Sequence, residues 1–127
     1  MNKFFQFNEF LELGKLFKKY KAYLIALEYF NKAITLSYLP INKQRLLEAY
    51  ELRGNTKIFL NNYFDAILDY SKAIELDHKD PYLYFFRGYS YESLGLDKEA
   101  MKNFKISVQL DPDFNLALSM IDYLKQK

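Results

Sequence analysis

Cysteine and tryptophan are absent from the 127 residues, and histidine occurs once, at His78. Without thiols there is no disulfide scaffold, no thiolate zinc site and no cysteine nucleophile. A single histidine leaves no histidine-based metal site and no Ser-His hydrolase. Four glycines and three prolines are too few for the tight turns of a β-sandwich or barrel. The glycines stand alone at 14, 54, 88 and 95, so no glycine-rich phosphate loop exists. No apolar run approaches the roughly 18–20 residues of a membrane span. Gln6, Asn8 and Glu9 break the opening aromatic run before it reaches the length of a signal-peptide core. The expectation from these absences is a cytoplasmic chain that is not an enzyme, takes no cofactor or metal and has no membrane partner.

What is present is a globular balance, half hydrophobic and 27% charged, in a length that suits one domain. Aromatics are abundant, with 12 Tyr and 12 Phe. Net charge is +2, too small to point to nucleic acid even with basic and aromatic residues together. It is unevenly spread: residues 1–43 carry seven Lys against three Glu, and residues 44–80 carry five basic against seven acidic residues. Asp77, Asp80, Asp111 and Asp113 lack the ligand loop of a calcium site and fit helix caps and turns. His78, in the run Asp77-His78-Lys79-Asp80, reads as a solvated loop residue.

The chain repeats within itself. The segment Ala66-Ile67-Leu68-Asp69-Tyr70-Ser71-Lys72-Ala73-Ile74-Glu75-Leu76 realigns on residues 26–36 and again on 100–110. A second block, centred on Gly14, Gly54 and Gly88, precedes each copy, every Gly standing 12 residues before its Ala26, Ala66 or Ala100. Apolar residues recur at three and four, the helical period. Each repeat therefore reads as two antiparallel helices with a short turn, at about 7–20 and 23–36, 44–60 and 63–76, 81–94 and 97–110. A mid-helix glycine costs about 1 kcal/mol against alanine, so three in one register need a reason. The expectation is that they let the second helix approach closely, opposite Ala26, Ala66 and Ala100, while Phe30, Tyr70 and Phe104 fill the space toward the next repeat. Residues 113–126 read as a capping helix, with Phe114, Ala117, Leu118, Ile121 and Leu124 on one face.

These residues resemble the tetratricopeptide repeat, whose signature is W-x2-L-G-x2-Y, then A-x3-F and P. The copies read Phe10-x2-Leu13-Gly14-x2-Phe17 with Ala26-x3-Phe30, Tyr50-x2-Arg53-Gly54-x2-Lys57 with Ala66-x3-Tyr70, and Tyr84-x2-Arg87-Gly88-x2-Tyr91 with Ala100-x3-Phe104. Lys57 departs from the pattern, His78 replaces the proline, and six extra residues near 40–45 lengthen the first connection. The resemblance implies an all-α, right-handed solenoid of three helix-turn-helix repeats (about 7–40, 47–80 and 81–114) with a terminal capping helix, seven helices in all.

It also implies a protein–protein interaction module with a concave groove, lined by the first helix of each repeat, that holds an extended partner segment. The matching register offers Asn8, Leu11, Glu12, Lys15 and Lys19, then Glu48, Glu51, Leu52, Asn55 and Phe59, then Tyr82, Phe85, Phe86 and Tyr89. The aromatic quartet is expected to anchor apolar side chains, Asn55 to bond the partner backbone, and Lys15 and Lys19 to attract acidic residues. Co-chaperone modules of this family hold chaperone tails through a two-carboxylate clamp; the matching positions here are Leu11, Lys15, Leu52, Tyr82 and Phe86, so the clamp is missing. A homo-oligomer in which Phe4, Phe5 and Phe7, placed before the first helix, dock on the aromatic groove of another copy is the alternative.

Overall fold

A computed structural model describes residues 2–127, and among them are seven helices and no strand: α1 (Lys3–Lys19), α2 (Tyr23–Thr35), α3 (Lys43–Phe59), α4 (Tyr63–Leu76), α5 (Pro81–Ser93), α6 (Asp97–Leu110) and α7 (Asn115–Lys125). Consecutive helices pair into the hairpins α1/α2, α3/α4 and α5/α6, each hairpin packs on the next, and α7 packs on α6.

The first helix starts four residues before the expected position. Asn2 is its N-cap, its side chain accepting from the Phe4 and Phe5 amides at 2.8 and 3.4 Å. Phe4, Phe5 and Phe7 are therefore helical, and Phe7 is core at 1% exposure, so the apolar interior begins there and not at Phe10. At the other end α7 starts at Asn115, because Asp111 closes a turn onto the Asp113 amide and Phe114 is the N-cap. Asp77 and Asp80 act in the same way: Asp77 accepts from the Lys79 amide and Asp80 caps α5. His78 is exposed.

The role of the glycines differs from expectation. A Cβ at Gly54 would stand 3.1 Å from the Tyr70 ring, one at Gly88 would stand 2.9 Å from the Phe104 ring, and one at Gly14 would overlap the Phe30 ring. The missing side chain makes room for the aromatic of the second helix in the same hairpin, not for the alanine. That aromatic is fully buried in all three hairpins.

A single hairpin does not bury its own stripe, and the closing residue comes from the next first helix. Ala49 closes the core of α1/α2, Leu83 that of α3/α4 and Ala117 that of α5/α6, at a constant spacing of 34. In α1 the corresponding position is Glu9, exposed to solvent. In α7 the position of the repeat glycine is Asp122, also exposed, which leaves no seat for a further aromatic. Polar residues thus stand at these positions in the first and last of the described helices.

The turns within the hairpins reverse the chain through one left-handed residue each: Lys21 (φ 61°), Asn61 (φ 60°) and Gly95 (φ 77°). Between α2 and α3 the extra residues fold back over α1: Ile41 packs on the first core, and Lys3 Nζ donates to the Tyr38 hydroxyl at 3.2 Å. Phe4 and Phe7 meet Ile41, Asn42 and Arg45 around an open pocket there.

Candidate partner-binding surface

The first helices present one shared face, and its three parts differ in chemistry. Between α1 and α3 the face is charged and self-satisfied. Lys15 Nζ lies 3.3 Å from Glu48 and 3.6 Å from Glu12. Arg45 closes the ring, donating to Asn8 Oδ1 at 3.0 and 3.1 Å and lying 3.5 Å from both Glu12 and Glu48. Lys15 is therefore engaged internally and is not a free cation for an acidic partner. Lys19 is exposed and lies over the Tyr20 ring. Lys18 lies over the Phe59 ring, which in turn stacks on Tyr23 at 4.6 Å. Phe59 keeps 56% of its surface exposed.

Further along α3 the face turns acidic. Glu48, Glu51, Asp77 and Asp80 line an open pocket of about 490 Å³ together with Gln44, Arg45 and Leu47. Burial, and then the nearby Asp80 and Glu48, raise the Glu51 carboxyl above its ordinary range. Among the described residues Glu51 has no ion pair. Asn55 does not wait for a partner: its Oδ1 accepts from the Tyr70 hydroxyl. Burial, followed by Glu51 and Asp69, raises the pKa of that phenol and keeps it a donor.

On α5 the four expected anchors separate. Phe85 is core, 7% exposed, enclosed by Phe104, Phe114 and Phe86 at ring distances of 5.1–5.6 Å. Its neighbours in sequence fill different faces: Leu83 and Tyr84 are also buried, so five consecutive bulky residues wrap most of the helix. Tyr82 is 52% exposed, edge-on to Phe114, while Phe86 and Tyr89 are half-buried against Tyr70 and Tyr63. Leu11, at a clamp position, is completely buried.

A second polar feature lies between hairpins, and inspection of the sequence missed it. Arg53 Nε and Nη2 donate to the two oxygens of Asp69 at 3.0 and 2.7 Å, and Nη1 donates to Asn31 at 3.2 Å. Lys57 adds a contact of 3.0 Å to the same carboxylate, which explains its departure from the aromatic pattern. Arg87, 34 residues on, donates to Asn103 at 2.8 Å and to Ser71 at 3.2 Å. Each arginine thereby ties three helices together. The signal was the spacing itself: Arg53 and Arg87 stand 34 residues apart where the repeat signature has leucine, and Asp69 and Asn103 stand 34 apart just before the aromatic of A-x3-F.

Helical hairpins stacked at a constant register define an all-α repeat solenoid. Family comparison agrees: a TPR repeat model matches residues 54–95 and a tetratricopeptide repeat model matches residues 81–114. The chain belongs to the tetratricopeptide-repeat family. It is 32% identical to the Hsp70-Hsp90 organizing protein of Triticum aestivum and 30% identical to the Hsp70-Hsp90 organizing protein 2 of Arabidopsis thaliana. Each match covers 80% of this chain and 21% of the relative, so the chain spans about a fifth of those proteins. Among solved structures, the second TPR domain of human RPAP3, in complex with an HSP70 peptide, superposes with a TM-score of 0.83 at 24% identity, covering 97% of this chain and 98% of that one. The Arabidopsis OM64 TPR domain gives 0.80 at 25% identity and 94% of both chains. No helix among the described residues is long and apolar enough to cross a membrane.

Proposed function

We propose that this chain is a protein–protein interaction module that binds an extended segment of a partner protein in a groove formed by α1, α3 and α5. The observation that carries this reading is Tyr82, half of its surface open on a helix whose other aromatics are buried or half-buried. Together with Phe86, Tyr89 and Leu52 it supplies apolar surface beside polar groups, the combination that marks contact sites. The adaptor works without the two-carboxylate clamp. Of the clamp positions, Leu11 is buried, Lys15 is neutralised by Glu12 and Glu48, and Leu52, Tyr82 and Phe86 carry no donor suited to a carboxylate pair. A chaperone tail, the kind of peptide held in the RPAP3 complex, is therefore not the occupant we assign.

For self-association through the Phe-rich start, the second reading, Phe7 is core, whereas Phe4, on the rim of the open pocket beside Ile41, and Phe5 keep 42% and 61% of their surface exposed. The groove reading is tested by parallel capture from a lysate with wild type and a folded Tyr82→Ala/Tyr89→Ala double variant. Proteins retained by wild type and lost by the variant support it, since truncating an anchor costs about 2 kcal/mol or more. Identical captured sets would remove α5 from the binding surface.

A further inference from the structure

We propose that the segment in this groove is basic: a lysine or arginine side chain enters between Glu51 and Asp80 while adjacent apolar side chains rest on Tyr82 and Phe86. This rests on the groove reading above and adds the chemistry of the occupant.

The acidic pocket lies next to apolar surface, so a segment that is basic and partly apolar complements both. The cations on the α1 side are already used, Lys15 by Glu12 and Glu48, and Arg45 by Asn8, Glu12 and Glu48. Among the described residues, Arg45 is the one cation lining the pocket with Glu48, Glu51, Asp77 and Asp80. Local structure explains two of the acids, because Asp80 caps α5 and Asp77 closes a turn. It does not explain Glu51, which is half-buried on α3, repelled by Glu48 and Asp80, and unpaired among the described residues. A partly desolvated carboxylate with like charges beside it is unfavourable until a cation arrives. An acidic segment would add to that repulsion; a basic one relieves it. Tyr82 follows Asp80 by two residues, so the acidic pocket and the aromatic surface adjoin. A cationic residue followed closely by an aliphatic or aromatic one satisfies both.

The test is selection of a random dodecapeptide phage library on the immobilised full chain, followed by affinity measurement with the enriched peptides made synthetically. The expected winners carry Lys or Arg beside aliphatic or aromatic residues. They bind Glu51→Gln and Asp80→Asn about ten-fold or more weakly. Asparagine still caps α5, and the Glu51→Gln melting temperature is expected at or above that of wild type, so lost binding is not lost folding. Winners that are acidic or neutral, or that bind both variants as tightly as wild type, yet weaken on Tyr82→Ala, would overturn the basic occupant and leave the groove standing. Winners indifferent to all three substitutions, or no enrichment at all, would overturn the groove reading as well.

Discussion

The first hairpin and the two that follow solve one packing problem differently. In α3/α4 and α5/α6 an arginine lies between three helices, bonded to its own second helix and to the preceding one. In α1/α2 the register holds Leu13, and aromatic rings do the work: Phe17 stacks on Tyr29 at 5.5 Å, Phe10 adjoins the same ring, and Lys32 lies over both Phe10 and Tyr29. The reason is positional. In α2 the position of Asp69 and Asn103 is held by Tyr29, so an arginine at 13 would face an aromatic ring where α4 and α6 offer a side-chain oxygen. A guanidinium with five donors is favourable between helices when nearly all are used, and costly when they are not. The lesson is that the repeat specifies a slot, and the neighbours decide whether a charge or a ring fills it.

The sharpest break in that comparison is Asp69→Ala. It strips the counterion from both Arg53 and Lys57 beside a carboxylate that is 2% exposed, and it is expected to destabilise by about 3–5 kcal/mol in urea denaturation. The neutral counterpart, Asn103→Ala, removes one acceptor from Arg87 and is expected to cost about 1–3 kcal/mol by the same measurement. A larger loss at Asn103 than at Asp69 would reverse the assignment of the stronger tie.

Glycine to alanine separates the hairpins in the opposite sense. Gly14→Ala pushes into the Phe30 ring and is expected to cost about 1–2 kcal/mol after the helical gain of alanine. Gly54→Ala, with 3.1 Å to the Tyr70 ring, is expected to lie within about 1 kcal/mol of wild type. Lys21 and Asn61 hold left-handed turns that Gly95 adopts without strain. Lys21→Gly is therefore expected to stabilise by about 1 kcal/mol, read as a rise in melting temperature.

The smallest effect is a pH dependence. The Glu51 carboxyl is raised in the folded chain, so the folded state takes up its proton more readily than the unfolded one. Its charge penalises folding above the folded pKa, and this penalty fades as pH falls toward the ordinary carboxylate value of 4.5. Glu51→Gln is expected to melt at or above wild type at neutral pH, with the difference shrinking on acidification. A difference that grows on acidification would contradict the raised carboxyl.

Much of the architecture was legible in residue order. Three in-register copies of glycine, alanine and aromatic located α2 to α6 within a residue or two, because a helical period and a repeated turn are local properties. The start of α1 was less legible, since a single Asn2 cap carries it and an aromatic run gives no period. The face of Phe85 was misread for a related reason: Leu83, Tyr84, Phe85 and Phe86 are all apolar, and a helix apolar nearly all round does not announce which side is covered. That was decided by α7, whose Phe114 closes over Phe85 and leaves Tyr82 outside.

The sequence by itself determined the helices and their pairing, because these follow from periodicity and spacing. The tertiary structure alone decided which charges are free. Lys15 and Arg45 are spent on Glu12 and Glu48 across two helices, and Arg53 and Lys57 on Asp69, while Glu51 is left without a cation. The contacts between helices join residues 12 to 37 apart in the chain, at distances that hairpin packing sets and residue order does not.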